Sequence, residues 1–232
     1  MEPVTNRSYR LRGVRITPAQ QIARDTLWAK FGIEFQESLL DLSTSFAKAQ
    51  PVVMEIGYGM GEATWQIARA NPAVNYLGVE VHMPGVGKLM AQLDEFNLTN
   101  VKLIERDVFE VFHYMIADGA LDGVHLYFPD PWPKKRHNKR RIVNQRFISE
   151  VAKKLKPSGY IHIATDWVPY AEWITEQFNE TKLFTGGVID RPDSRPLTRF
   201  EGQGLTKDHR VTDFLFRIER FYLSGGYGVR HC

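Results

Sequence analysis

The sequence predicts a doubly wound α/β domain with a mostly parallel, seven-stranded sheet. Short apolar runs alternate with amphipathic helical stretches from residue 52 onward, which is the pattern of βαβ units. A glycine cluster follows the first run, at the point where such sheets approach a ligand. The last two runs have no helical stretch between them, so we expect an antiparallel strand at the C-terminal end of the sheet.

The composition is that of a folded protein that needs neither a metal nor a disulfide. Its 232 residues are 43% hydrophobic and 25% charged, which suits one domain with a sizeable core. There is no run of about 18 apolar residues, and the polar N-terminus lacks a signal-peptide core. The single cysteine, Cys232, cannot form an internal disulfide. We therefore expect a cytoplasmic protein with no membrane or metal partner.

The first predicted element is a helix in a basic N-terminal segment. Thr17 is a suitable N-cap and Pro18 a suitable first helical residue, and we expect the helix to end near Lys30. Arginines are frequent in the residues before it. The expected parts of the chain are a basic arm and helix at 1–34, the α/β domain at 35–222 and a tail without an assigned role at 223–232.

The remaining elements alternate along the chain. Strands are expected at Val52–Ile56, Asn75–Val81, Val101–Glu105, Val124–Phe128, Tyr160–Ala164, Leu183–Ile189 and Asp213–Phe221. Helices are expected at Thr64–Ala70, Pro84–Phe96, Phe109–Ile116, Gln145–Leu155 and Pro169–Asn179. Short apolar runs indicate the strands, and prolines such as Pro72 and Pro129 mark where an element must end. The segment Lys156–Gly159 is expected to form a turn.

The glycine cluster after the first strand indicates which cofactor the sheet binds. Gly57, Gly59 and Gly61 stand at alternate positions, whereas the dinucleotide motif G-x-G-x-x-G requires a glycine at position 62, where this chain has Glu62. A glutamate there would repel a pyrophosphate but not a cationic sulfonium. The spacing is typical of proteins that bind S-adenosylmethionine, and it disfavours the alternative of a nicotinamide-dependent oxidoreductase.

Three acidic residues at strand ends also favour a cationic cofactor. Glu55, Glu80 and Asp107 lie at the ends of three consecutive predicted strands, so their side chains are expected at one edge of the sheet. At these positions Glu80 can accept hydrogen bonds from both ribose hydroxyls of an adenosine, and Asp107 can hold the adenine amino group. Together with the glycine loop, the three acids predict a site for a cationic adenosyl cofactor.

A rigid loop follows the fourth strand. Three prolines in the segment Pro129–Pro133 restrict the main chain and hold Asp130 and Trp132 at the position expected beside the cofactor's methyl group. The segment is related to the Asn/Asp-Pro-Pro-aromatic motif of amino-group methyltransferases, with Trp132 in place of the second proline. We expect Asp130 to accept hydrogen bonds from a target base and Trp132 to stack on that base.

A strongly basic block continues this loop. Residues 134–141 contain six lysines and arginines and no acid, and so many neighbouring cations favour bound phosphates. The block therefore predicts a nucleic-acid-binding surface next to the candidate catalytic loop.

The chain resembles the bacterial tRNA (guanine-N7-)-methyltransferases over almost its whole length. The segments that carry the resemblance are Glu55–Gly61, Gly78–His82, Phe128–Trp132, Arg136–Arg141, Ala164–Trp167 and Arg195–Glu201. The resemblance implies a Rossmann-like class I methyltransferase fold and methyl transfer from S-adenosylmethionine to guanine N7 in the tRNA variable loop, at position 46. From the residues alone, methylation of another RNA or of a protein, and RNA binding without catalysis, remain alternatives, and the oligomeric state stays open.

The resemblance also implies roles for individual residues. The implied cofactor contacts are Glu55, Gly57, Gly59, Gly61, Glu80, Asp107 and Asp130, and Asp130 is also the implied catalytic residue. The implied substrate contacts are Lys134, Asp166, Thr198, Arg199, Phe200 and Glu201. The implied RNA contacts are Arg136, His137, Asn138, Lys139, Arg140 and Arg141.

Overall fold

The computed structural model of the protein describes residues 8–9, 16–197 and 211–219. The predicted substrate segment Thr198–Glu201, the tail at 223–232 and most of the predicted basic arm lie outside these residues. The division of the chain into arm, domain and tail therefore stays a prediction.

A seven-stranded sheet forms the centre of the molecule. Its strands are β1 (Val52–Ile56), β2 (Asn75–Glu80), β3 (Val101–Glu105), β4 (Leu121–Tyr127), β5 (Leu155–Thr165), β6 (Phe184–Ile189) and β7 (Thr212–Ile218). Their order is β3-β2-β1-β4-β5-β7-β6, and β1 to β5 pair in parallel. β7 pairs antiparallel with both β5 and β6, so its direction is opposite to that of the other six strands. The predicted fold class and its antiparallel C-terminal strand are confirmed.

Helices cover both faces of the sheet. They are α1 (Pro18–Phe31), α2 (Glu62–Ala70), α3 (Met83–Glu95), α4 (Val108–Tyr114), α5 (Gln145–Lys154) and α6 (Val168–Asn179). Alternate strand residues enter two separate cores, since Val53 packs with α1, α2 and α3 while Met54 packs with α4, α5 and α6. Within the described residues, no helix is long and apolar enough to cross a membrane.

Side chains cap the starts of three of the helices, α1, α4 and α5. Thr17 and Gln20 form a capping box at the start of α1, as the Thr17-Pro18 pair predicts. The side chain of Asn144 accepts a hydrogen bond from Phe147 N at 3.1 Å and so caps α5. At Gly87, an added Cβ would lie 2.1 Å from Gln20 O, so glycine allows α1 to pack closely on α3.

Several elements begin or end one to three residues from their expected bounds, and two local features differ more. Strand β5 begins at Leu155, which pairs with Leu121, and pairing resumes at Tyr160 after an irregularity, so the expected turn lies inside the strand. Ser158, in this interruption, has a φ of 69°. In addition, Lys135–Arg140 forms a 3-10 helix that the sequence does not predict.

The strand order places a ligand site next to β1. Starting from β1, the chain adds β2 and β3 on one side and β4 and β5 on the other, so the order reverses between β1 and β4. In open parallel sheets the crevice at the carboxyl ends of such strands binds ligands.

Candidate active site

A cavity of about 370 Å³ opens at the carboxyl ends of β1, β2 and β4. Gly57, Gly59, Glu80, Asp107 and Asp130 all line it, so the structure brings five of the predicted site residues together. Its volume lies within the range of small-molecule and cofactor pockets. Sequence reasoning missed Ser8 and Tyr9, which also line the cavity, because nothing in the sequence indicates where the N-terminal segment lies.

The glycine loop leaves the cavity side of the main chain open. Gly57 and Gly59 have φ angles of 70° and 56°, and a Cβ added to either would meet nothing within 4 Å. A ligand can therefore come close to the main chain here. Gly61 differs, because an added Cβ would lie 2.7 Å from Leu89 and the residue does not line the cavity. Gly61 allows α2 to pack on α3 rather than lining the cavity.

Backbone amides hold the Glu80 carboxylate at the rim of the cavity. Gly59 N donates to it at 2.8 Å, Val81 N at 2.7 Å and His82 N at 3.1 Å. A carboxylate offers about four acceptor sites, so one is left for a ligand hydroxyl. Burial raises the pKa of Glu80, and the three amide bonds partly oppose that effect.

Asp107 has two roles in the same place. It caps α4 by accepting a hydrogen bond from Phe109 N at 2.9 Å, and it lines the cavity. Burial raises the pKa of its carboxyl group as well. The amide bond fixes the side chain at the cavity wall, where the sequence predicts an adenine contact.

Glu55 lies behind the cavity wall. The side chain is only 2% exposed, and burial, reinforced by the charge of Glu80, raises its pKa to about 7. Its Oε2 atom has no hydrogen-bond partner among the described residues. A buried carboxylate oxygen without a partner is costly, and this cost favours the protonated form of Glu55.

The loop after β4 is held in an uncommon backbone conformation. Phe128 and Trp132 have φ angles of 50° and 46°, and each such residue costs on the order of 1–2 kcal/mol. The loop is anchored where Phe128 N donates to Ala164 O at 2.8 Å. Asp130, between these two residues, lines the cavity.

Trp132 does not occupy the position expected of it. Its ring is 3% exposed, and its indole N–H donates to Ser8 O at 2.9 Å. The Arg140 guanidinium lies 4.9 Å from the ring centroid, and His137 packs edge-on at 5.7 Å. The predicted stacking of Trp132 on a base is therefore not available in this structure, because Arg140 and His137 of the 3-10 helix pack against the ring and Ser8 accepts its N–H.

The basic block separates into an exposed part and a buried residue. The side chains of Lys134, Lys135, Arg136, Lys139 and Arg140 are exposed, and His137 and Asn138 are half-buried. Arg141 is instead 5% exposed. Its Nε donates to Pro131 O at 3.1 Å, and its guanidinium lies within 5.5 Å of the ring centroids of Trp167, Tyr170 and Trp173. The structure thus does not bring Arg141 to the predicted RNA surface, because Arg141 fastens the proline loop to α6.

The remaining predicted contacts lie outside the cavity or outside the described residues. Asp166 is half-buried at the end of β5, and neither Asp166 nor Lys134 lines the cavity. Thr198 to Glu201 lie outside the described residues. The described residues contain no cluster of three His, Cys, Asp or Glu side chains that could hold a metal ion.

A doubly wound sheet with an acid-rimmed cavity at its switch point, in a chain that matches a methyltransferase family, defines a class I S-adenosylmethionine-dependent methyltransferase. The family described as "Putative methyltransferase" matches residues 49–214. The chain is 49% identical over 214 residues to the tRNA (guanine-N(7)-)-methyltransferase of Chromobacterium violaceum, covering 91% of this chain and 95% of that protein. Its identity to the protein of that name from Neisseria meningitidis serogroup B is 44%, covering 93% and 92%. The chain therefore belongs to the tRNA (guanine-N(7)-)-methyltransferase family.

Solved structures agree on the fold. The 16S rRNA methyltransferase KamB matches with a TM-score of 0.54 at 15% identity, covering 92% of this chain and 98% of that one. The 30S ribosomal A1408 methyltransferase from an uncultured bacterium matches with a TM-score of 0.53 at 16% identity, covering 73% and 88%. At such low identity the likeness shows the fold alone.

Proposed function

We propose that the protein transfers a methyl group from S-adenosylmethionine to N7 of the guanine at position 46 of the tRNA variable loop. The observation that carries the proposal is one juxtaposition: Asp130 lines the cofactor-sized cavity, and the exposed cations of the 3-10 helix follow it within ten residues. The relatives of this chain from Chromobacterium violaceum and Neisseria meningitidis are named for methylation of guanine N7 in tRNA. A tRNA substrate would place the protein in the cytoplasm.

The residues around the cavity suit the cofactor. When bound, S-adenosylmethionine supplies an electrophilic methyl group on a sulfonium cation. Glu80 would accept a hydrogen bond from a ribose hydroxyl at its remaining acceptor site, and Asp107 would accept one from the adenine amino group. The open main chain at Gly57 and Gly59 lets the cofactor pass close to the loop. Glu55 lies behind the cavity wall, so it would favour the cationic cofactor through its charge only where its carboxyl group is ionised, above a pH of about 7.

Asp130 is proposed as the catalytic residue, and it acts without removing a proton from N7. Guanine N7 carries an in-plane lone pair and no hydrogen, and the methylated ring is a cation. Asp130 would accept hydrogen bonds from the N1–H and N2 amino groups, which aligns the base and stabilises the developing positive charge. Lys134, Asp166 and Thr198–Glu201 would contact the substrate around this base.

The RNA backbone would lie along the 3-10 helix. The exposed cations Lys135, Arg136, Lys139 and Arg140 present their charges to solvent and suit phosphate contacts, with His137 and Asn138 between them. Arg141 is left out of this surface because it is buried.

Mass spectrometry of methylated tRNA tests the proposal. Unmodified tRNA incubated with the protein and S-adenosylmethionine should yield 7-methylguanosine, and strand cleavage at the modified nucleoside should map it to position 46. A tRNA with adenine at position 46 should stay unmodified, and Asp130→Asn should lower kcat about a hundredfold, far more than it lowers cofactor affinity. A methyl group on another atom or on another RNA alone would contradict the proposal.

A further inference from the structure

Four buried polar side chains form a hydrogen-bonded line beneath the catalytic loop. Tyr127 Oη lies 3.0 Å from His162 Nδ1, and His162 Nε2 lies 2.8 Å from Asp213 Oδ1. Arg195 donates to both oxygens of Asp213, at 2.7 and 2.8 Å. All four residues are buried: Tyr127 is 9% exposed, His162 5%, Asp213 2% and Arg195 1%. We call these four residues the buried chain.

The hydrogen bonds of the buried chain fix the orientation of the His162 ring. Burial raises the pKa of Asp213, but hydrogen bonds from His162 and Arg195 outweigh burial and bring it below its ordinary value. An ionised carboxylate only accepts, so His162 donates from Nε2 to Asp213. The Nδ1 atom of His162 and the Tyr127 hydroxyl share the second hydrogen bond of the ring. Each side chain is thus held in one orientation by its neighbour.

The buried chain ends at the catalytic loop. Tyr127 is the last residue of β4 and directly precedes Phe128, whose φ is 50°. The Arg195 guanidinium lies 5.6 Å from the Phe128 ring centroid and 6.0 Å from that of Tyr127. Arg195 is itself fixed in a turn, since its backbone N–H donates to Pro192 O at 2.9 Å. Asp130 follows two residues after Phe128.

Stability alone does not account for this arrangement. Replacing a buried ion pair with apolar residues of similar volume is often neutral or stabilising, so the Arg195–Asp213 pair is weak evidence for a stabilising role. An uncommon backbone conformation persists, however, only where the surroundings over-determine it. The buried chain supplies such surroundings at Phe128.

We propose that the buried chain is a positioning unit, in which Arg195, Asp213 and His162 act through Tyr127 and Phe128 to hold Asp130 against the guanine. None of the four residues is placed at the reacting atoms. The inference rests on the proposed function, because it assigns the residues that orient its catalytic group.

The test compares two tyrosine variants that each lose one histidine-bonded hydroxyl. Tyr127→Phe removes the hydroxyl next to the catalytic loop. Tyr160→Phe removes the hydroxyl that lies 3.1 Å from His125 Nε2, and Tyr160 pairs with Gly123 near the other end of β4. Since a slight misplacement of a catalytic group is costly, Tyr127→Phe should lower kcat by about tenfold to a hundredfold, with KM for tRNA within about twofold of wild type. Tyr160→Phe should keep the wild-type kcat, while melting temperatures of both variants fall by similar amounts.

A second variant covers the other end of the buried chain. Arg195→Lys keeps the positive charge but cannot make the two-pronged hydrogen bond to Asp213, so kcat should again fall at unchanged cofactor affinity. It also decides the matter if Tyr127→Phe does not fold. Equal kcat values for Tyr127→Phe and Tyr160→Phe, a rise in KM at unchanged kcat, or a wild-type kcat in folded Arg195→Lys would each overturn the inference. If the wild-type protein forms no 7-methylguanosine, the proposed function itself fails, which is a separate result.

Discussion

Glu55 is a carboxyl group in an environment that favours its neutral form. It is 2% exposed, and burial raises its pKa from 4.5 to about 7. Between these two pH values the folded protein retains a proton that the unfolded chain has lost. The free energy of unfolding therefore falls as pH rises through this window and stays low above it.

Glu55→Gln should remove this fall in the free energy of unfolding with rising pH. Glutamine resembles the protonated carboxyl group, so the variant should be more stable than wild type above pH 7, by up to about 3 kcal/mol. Urea denaturation at about pH 5 and about pH 8 measures the difference. Glu172→Gln, an exposed position on α6, should keep the wild-type pH profile. A decline of equal size in wild type and Glu55→Gln would contradict the account.

Individual side chains differ in how far the sequence predicts them. Glu80 and Asp107 line the cavity as expected, because a residue at the end of a parallel strand has only one edge of the sheet to occupy. Arg140 and Arg141 are identical neighbours in a basic run, yet one is exposed and the other buried. The aromatic residues that enclose Arg141 come from α6 and its N-cap, far along the chain, and no local pattern predicts that contact.

At the scale of elements, the 3-10 helix Lys135–Arg140 presents the positive charge. Lys135 and Lys139 are both exposed on this helix, so their ammonium groups can contact a phosphate directly. Phosphate contacts release counterions, so the affinity for tRNA should depend on salt concentration. The 3-10 helix should therefore account for a measurable part of this salt dependence.

Lys135→Gln combined with Lys139→Gln should weaken tRNA binding and flatten its salt dependence. The slope of log affinity against log salt should fall by roughly 0.7–0.9 for each phosphate that the variant no longer neutralises. Binding titrations at several salt concentrations measure this slope. Lys153→Gln combined with Lys182→Gln removes the same charge from exposed positions elsewhere and should leave the slope unchanged. Equal slopes in wild type and the first double variant would show that the helix does not contact phosphate.

Strands and helices with clear periodicity agree with the expectations, and irregular segments do not. The segment Lys156–Gly159 does interrupt the pairing of β5 with β4. However, Leu155 pairs with Leu121 before this interruption, so β5 starts earlier than the turn residues indicate. Lys135–Arg140 has no apolar period to mark it as helical, since its residues face solvent or the Trp132 ring.

At the scale of the whole molecule, the strand order brings distant residues to one cavity. Residues from positions 8 to 142 line it, and the sequence predicts its central acids and glycines because the doubly wound pattern fixes which strand ends meet. The pattern does not predict that the Trp132 indole donates a hydrogen bond to Ser8 O, or that Arg195 donates hydrogen bonds to Asp213 of β7. These contacts join segments whose relative position depends on tertiary packing alone.

Calorimetric titration with S-adenosylhomocysteine tests most directly whether the acidic rim holds the cofactor. Glu80→Gln combined with Asp107→Asn should raise the Kd about a hundredfold, because two hydrogen bonds to charged groups are removed. Glu172→Gln combined with Glu176→Gln removes the same charge from the exposed side of α6 and should bind like wild type. A Kd for the Glu80/Asp107 variant equal to that of wild type, in a folded protein, would contradict the account.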